Sequence, residues 1–287
     1  MRCLAFGLSA SITILTACAG SQPTVPSVFE SPVIRGSISH DASWMRAGAK
    51  SIKLLLYVSD FQAGRVYVSD YATGDLQGIL AGFNEPAGLC VDAGGDVWIA
   101  QADGEAVVEY AHGGTRPIKT LNTSGRAFGC SVAPNGDLAV ANFDVGSSPG
   151  SVQVFKHASG TPQQYTCPGR GYYYPPGYDI EGNLYVEALD NLRLADVGVC
   201  MLASNGNSMK SVNVNVTINS GGSVMWDGRH ITLTDVDYDK MWTTAVYRAR
   251  ESAGGDLTVI GTTQLTANHG NTAVVQQPFL IGKENPP

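Results

Sequence analysis

The chain has 287 residues, a formal net charge of -7, 15 % charged and 44 % apolar residues, and glycine at 34 positions. Its Lys and Arg residues are scattered, which excludes a nucleic-acid surface built on phosphate neutralisation. So weakly charged and glycine-rich a chain suits many short strands joined by turns, with ample length for a core.

The first residues, MRCLAFGLSASITILTAC, carry Arg2, then an apolar run from Leu4 to Leu15, then small residues. The run is too short to span a bilayer and reads as a secretory signal. Leu15-Thr16-Ala17-Cys18 resembles the bacterial lipobox. The resemblance implies that residues 1–18 are a lipoprotein signal, that Cys18 is lipidated, and, with Ala19 following, that the protein sits at the outer membrane or cell surface. Residues 19–50 carry three Pro, several Ser and no periodicity, as a flexible tether would. The folded domain is expected over 51–287.

Self-similarity follows. "VDAGGDVWIA" from Val91, "VAPNGDLAVA" from Val132 and "YDIEGNLYVE" from Tyr178 superpose without a gap, each a strand end, a tight turn and a second apolar strand. Anchored on that second strand, Tyr57, Trp98, Ala139, Tyr185 and Ile231 are equivalent, at spacings of 41, 41, 46 and 46 residues. A third strand ("GRVYVSDY", "GEAVVEY", "GSVQVF") and a weaker fourth ("IKTL") complete each unit. Four short strands at this period predict an all-β propeller of antiparallel blades. Five units fit from Leu54 to Asn268. "NTAVVQQPFLIGKENPP" reads as the start of a sixth that either pairs with the first unit or marks a chain shorter than its relatives. "YVSDFQAGRVYVSD" resembles the NHL repeat through Tyr57, Val58, Asp60, Arg65 and Val66, with Ala63 in place of the usual Asn. That resemblance implies a propeller.

Few residues suggest chemistry. His112 and His157 occupy matching places in successive units, so a structural role is expected of both; His269, in "TANHGN", does not repeat and lacks an evident metal set. Asp60, Asp103, Asp144, Asp190 and Asp235 follow the second strand of each unit, where a carboxylate can accept N–H groups of the next turn. No nucleophile elbow, phosphate loop, dinucleotide fingerprint or Cys-x-x-Cys pair occurs, so no catalytic residue, metal or cofactor is assigned. An alternative is a metal-dependent lactone or ester hydrolase of the gluconolactonase-like propeller type, for which Glu85, Asn142 and Asp179 are the ligands to test. A purely structural envelope protein is another. Cys90, Cys130, Cys167 and Cys200 allow three pairings or buried thiols; Cys130 with Cys167 is the favoured pair.

The remaining irregularity is "GRGYYYPPG". In the ungapped register it occupies the connection into an inner strand, at one mouth of the propeller channel. Arg170, Tyr172, Tyr173 and Tyr174 are therefore the candidate binding residues, for a protein or carbohydrate partner. The competing expectation is that the three rings pack and cap the blade.

Overall fold

A computed structural model describes residues 42–143, 149–190, 197–237 and 243–265. Cys18, Asp144 and His269 lie outside them. The described chain is a five-bladed β-propeller of antiparallel sheets.

In the first blade, β1 (Trp44–Met45) pairs with β4 (Leu76–Ala81), which pairs with β3 (Arg65–Asp70), which pairs with β2 (Leu55–Asp60). The second blade runs from the axis outward as β5 (Pro86–Val91), β6 (Val97–Gln101), β7 (Ala106–Tyr110) and β8 (Pro117–Asn122). The third repeats that order with β9 (Ala127–Val132), β10 (Leu138–Asn142), β11 (Ser151–Phe155) and β12 (Gln163–Tyr165). In the fourth, two short pieces, β13 (Arg170–Tyr173) and β14 (Gly177–Tyr178), share the inner edge of β15 (Leu184–Asp190), followed by β16 (Val197–Leu202) and β17 (Lys210–Val212). The fifth comprises β18 (Gly221–Trp226), β19 (Ile231–Asp237), β20 (Thr243–Glu251) and β21 (Leu257–Leu265). The first blade begins within the stretch 19–50 that reads as tether, because Trp44 and Met45 pair with Ile79 and Gly78.

Each blade alternates its side chains between its two neighbours, so the core lies between blades. Leu55, Val66 and Val68 meet Val97 and Ile99, whereas Trp98 and Val107 meet Leu138 and Phe155 on the other side of the same sheet. Tyr173, Leu184 and Cys200 pack on Ala139 and Val152, and Tyr185 and Val199 on Ile231 and Leu233.

The turn from first to second strand carries acids of its own, distinct from those that follow the second strand. Asp92 Oδ1 accepts the N–H of Gly94 at 2.8 Å and of Asp96 at 3.0 Å, and Asp179 Oδ1 those of Glu181 at 2.9 Å and Asn183 at 2.8 Å. The glycine that follows is left-handed at Gly95, Gly136 and Gly182, with φ of 88°, 83° and 83°, a conformation that strains other residues. At the start of the second strand, Asp96 and Asp137 each accept an N–H from beyond the third strand, that of His112 at 3.0 Å and His157 at 2.9 Å. The imidazoles bond too: His112 Nε2–H donates to O of Ile52, at the entry to the first blade, at 2.7 Å, and His157 Nδ1–H to O of Asn135 in its own blade at 3.1 Å. Both histidines thus serve the blade, as their repetition implies. Of the acids after the second strand, Asp60 accepts the N–H of Ala63 in the following turn at 2.9 Å, as expected, whereas Asp235 accepts those of Asn219 at 2.8 Å and Ser220 at 3.0 Å, in the connection leading into β18 and not in the next turn.

Two corrections concern the repeat and the cysteines. Trp98, Ala139 and Tyr185 pair with Cys90, Ser131 and Gly177, but the fifth-blade residue at that place is Thr232, opposite Met225, not Ile231. The turn 227–230 is one residue shorter than 92–96, 133–137 and 179–183. The disulfides are Cys90–Cys130 and Cys167–Cys200, with Cα separations of 5.5 and 6.3 Å, instead of Cys130–Cys167. Cys130 lies on the innermost strand of blade three and Cys167 just past its outermost one, so the width of the blade separates them. The two bridges staple blade two to three and blade three to four.

Candidate binding face at the channel mouth

Four inner strands share one irregularity. Pro86, Ala127, Tyr173 and Gly221 pair with Gln101, Asn142, Ala188 and Asp235, each the fifth residue of its partner strand, although each is followed by five further inner-strand residues. Six residues therefore oppose five, which is a β-bulge at the same place in each of these four blades. In blade four the bulge holds Tyr174, Pro175 and Pro176. Proline cannot donate to a ladder, and here the ladder is already broken. The stretch read from sequence as a connection is thus the inner strand itself, split by that bulge. Its register, with Tyr178 opposite Leu184 as Val91 is opposite Val97 and Val132 opposite Leu138, is the one that the repeat predicts.

Strand alternation divides the tyrosines. Tyr173 is 0 % exposed; its hydroxyl accepts the Cys167 N–H at 2.7 Å, and burial pushes its phenol above the usual range. Tyr174 is 8 % exposed, turns an edge to Phe143 at 5.6 Å, and fills the space left by Gly221, where a Cβ would meet its ring. Pro175 sits on Gly129 in the same way. The Arg170 guanidinium crosses Gly198, and its Nη1 donates to Ala188 O at 3.4 Å. Of the four candidates, Tyr172 keeps a half-exposed ring, 5.4 Å from Phe143, while Tyr173 and Tyr174 are packed as the capping expectation has it.

The equivalence also sets two residues that the sequence reading passed over, Arg126 and Ser220, beside Glu85 and Tyr172, which it named. Immediately before Pro86, Ala127, Tyr173 and Gly221, the residues paired with the fifth position of each second strand, stand Glu85, Arg126, Tyr172 and Ser220. They are one position repeated around the mouth: a carboxylate, a guanidinium, a phenol and a hydroxyl. Glu85 and Arg126 join across blades two and three at 2.5 Å, both over a third exposed, with Glu85 held at a left-handed φ of 52°. Phe143 stacks on Phe128 at 5.0 Å and gathers Tyr172 and Tyr174 into one aromatic group on this face. The signal was present in the repeat, since Phe128 aligns with Tyr174 and Arg126 with Tyr172.

Below the rim, polar groups lie buried. Glu187 is 0 % exposed, and its Oε2 accepts the Gly222 N–H at 2.7 Å between blades four and five. Its Oε1 has no partner among the described residues, nor do the two amide atoms of Asn142, which is 1 % exposed. Burial drives the Glu187 carboxyl well above the ordinary range, and the Asp235 charge adds to the shift.

The hydrolase ligand set does not converge. Glu85 and Asn142 stand at the mouth, where inner strands start and second strands end. Asp179 follows Tyr178 beyond the other end of the inner strand, about 16–20 Å away along it, and is committed to its own turn. At that far face Asp92, Asp96 and Glu109 lie within 4.8 Å of one another, but Asp92 and Asp96 accept turn N–H groups and Lys119 stands 3.9 Å from Glu109. Along the axis, Cys90, Cys130, Pro176, Val224 and Trp226 line a cavity of about 210 Å³.

No family profile and no curated protein matches the chain. Its similarity is to solved propellers. A structure of a nidogen/laminin complex aligns with TM-score 0.57 at 13 % identity, covering 74 % of this chain and 76 % of that one. The Cps50 (Swd1) β-propeller domain of Myceliophteria thermophila aligns at 0.53 and 12 %, covering 78 % and 72 %. A protein of unknown function from Bacteroides caccae aligns at 0.52 and 11 %, covering 74 % and 73 %. At such identities the likeness shows the fold alone.

Proposed function

We propose that the protein is a lipid-anchored, extracytoplasmic binding module that engages a protein partner at the rim of its channel. The observation that carries this reading is the repeated position Glu85, Arg126, Tyr172 and Ser220, backed by the partly exposed rings of Phe128, Phe143 and Tyr172. An aromatic with an adjacent Arg is the composition of interface anchors. Two structures with this type of fold come from protein assemblies, a nidogen/laminin complex and a mitotic checkpoint complex, the latter at TM-score 0.52 and 16 % identity over 73 % of this chain and 62 % of that one. They support a protein partner without naming it.

The address rests on the signal segment and on Cys18. Two disulfides between blades support export, since such bridges persist in oxidising compartments. Labelling with radioactive palmitate in a bacterial host tests the anchor. Wild type should take up label and Cys18→Ala should not; equal labelling would refute lipidation. The partner reading is tested by capture from envelope extract with the double variant Arg126→Ala/Tyr172→Ala. Loss of the captured protein at unchanged thermal stability is expected, and retention would refute the rim as the site.

A further inference from the structure

The gap between blades one and two and the gap between blades four and five present equivalent residues at the face opposite the mouth, yet only the first is closed. There the Tyr57 hydroxyl accepts the Gly113 N–H at 2.8 Å, and His112 Nε2–H donates to Ile52 O at 2.7 Å. Counted along the paired strands, the counterparts of Tyr57, Gly113, His112 and Ile52 are Tyr185, Ser252, Glu251 and Ile180. Neither bond forms among them. The Ser252 N–H donates to Asp256 O at 2.8 Å, a carboxylate offers the Ile180 carbonyl no donor, and Ile180 is 67 % exposed. The adjoining turn 227–230 is also one residue short. The result is a cavity of about 380 Å³, whose lining includes Asp179, Ile180 and Glu181 from blade four and Trp226, Arg229 and Glu251 from blade five. That is the size of a small-ligand site.

The chemistry of the lining identifies the occupant. Tyr185 is 0 % exposed, and its hydroxyl makes no hydrogen bond of good geometry, although the Glu251 carboxyl is beside it. A buried hydroxyl in that condition is uncommon. Burial, and the charges of Asp179 and Glu181, push the Glu251 carboxyl above its ordinary range. Lys210 opposes that shift, but its Nζ is engaged with Gly254 O at 2.6 Å. Neither Glu181 nor Glu251 has an ion-pair partner among the described residues. The oxygens of Asp179, Glu181 and Glu251 do not gather within 4.8 Å as those of Asp92, Asp96 and Glu109 do, so the space between them suits a cation larger than a bare metal ion. Half-buried Trp226 lines both this cavity and the axial one, so its indole forms the inner wall. An ammonium on a short hydrocarbon chain brings donors for the carboxylates and the phenol oxygen, and an apolar, positively charged body for the indole. We propose that the cavity between blades four and five binds an organic cation, its primary ammonium held by Glu181, Glu251 and the Tyr185 hydroxyl and its hydrocarbon part lying on Trp226. This is a second site, on the face opposite the rim.

NMR titration of the full chain with n-pentylammonium chloride, sodium hexanoate and calcium chloride tests this, read at the indole N–H groups of Trp226 and Trp98. Pentylammonium should shift the Trp226 signal saturably, with a dissociation constant of about 1–10 mM, as suits so small a ligand. The signal of Trp98, buried between blades two and three, should stay in place. Glu181→Gln/Glu251→Gln should weaken pentylammonium binding about tenfold or more, since each carboxylate accepts a charge-assisted bond. If that double variant fails to fold, Glu181→Gln alone, at an exposed turn residue, should weaken binding about threefold or more. Undiminished binding by the variant would overturn the proposal, as would the lack of a saturable Trp226 shift in wild type. A Trp226 shift by hexanoate equal to that by pentylammonium would overturn it in favour of an anion at Arg229 and Arg250, which also line the cavity. Displacement of pentylammonium by calcium would overturn it in favour of a metal ion.

Discussion

The inner strands of blades three and four share a register and a bulge, yet Ala127-Phe128-Gly129 in one stands where Tyr173-Tyr174-Pro175 stands in the other. The bulkier strand is accommodated by the blades on either side, since Gly129 receives Pro175 and Gly221 receives the Tyr174 ring, while within its own blade Gly198 receives Arg170. An aromatic run that looks like a ligand platform in isolation is therefore mostly an interlock between blades, and only its first ring, Tyr172, reaches the rim. An unusual residue in a repeat has to be judged against the residue that faces it in the next repeat.

Truncation should separate the two roles most sharply. Tyr173→Ala removes a fully buried ring and leaves the Cys167 N–H unpaired, so chemical denaturation should show a loss of about 4 kcal/mol. Tyr172→Ala, at a half-exposed ring, should lose about 1 kcal/mol or less. Similar losses would erase the distinction between packed and presented tyrosines. Filling the socket should come next: Gly129→Val drives its side chain into Pro175 and should cost about 3 kcal/mol, whereas Gly261→Ala, with nothing within 4 Å, should stay within about 0.5 kcal/mol. A tolerated Gly129→Val would mean that the interlock is loose.

Removing only the Tyr173 hydroxyl, in Tyr173→Phe, should cost about 1–2 kcal/mol by the same measurement, because a buried N–H loses its acceptor. A pH-dependent effect concerns Glu187, beneath the rim between blades four and five. Its carboxyl keeps its proton in the folded state at pH values where the unfolded chain, titrating near the ordinary value, has released it. Rising pH thus favours the unfolded state of wild type but not of Glu187→Gln. Melting temperatures taken from pH 4 to pH 7 should show the variant gaining on wild type as pH increases. A constant difference would place Glu187 in an environment that does not perturb it.

How far the sequence could be read follows from these residues. The match of Val91, Val132 and Tyr178 made the blades and their register legible, because strand, turn and strand are local. The repeated positions of His112 and His157 made their structural role legible for the same reason. What lay across blades was hidden: distance along the chain does not give distance from the axis, so Cys130 seemed a partner for Cys167, and the two-residue strand Trp44–Met45 has no periodicity to detect. The rim position was hidden differently. Glu85, Arg126, Tyr172 and Ser220 share no chemistry, so nothing in their types marks the alignment of Arg126 with Tyr172 as meaningful until each following residue is seen to pair with the fifth residue of its partner strand.

The central claim, that the rim recognises a partner while the tyrosines beneath it hold the blades together, is tested most directly by quantitative capture from envelope extract with Tyr172→Ala and Tyr173→Phe side by side. Capture should fall at least tenfold for Tyr172→Ala, whose melting temperature stays near that of wild type, and persist for Tyr173→Phe, whose melting temperature drops. Undiminished capture by Tyr172→Ala would contradict the account.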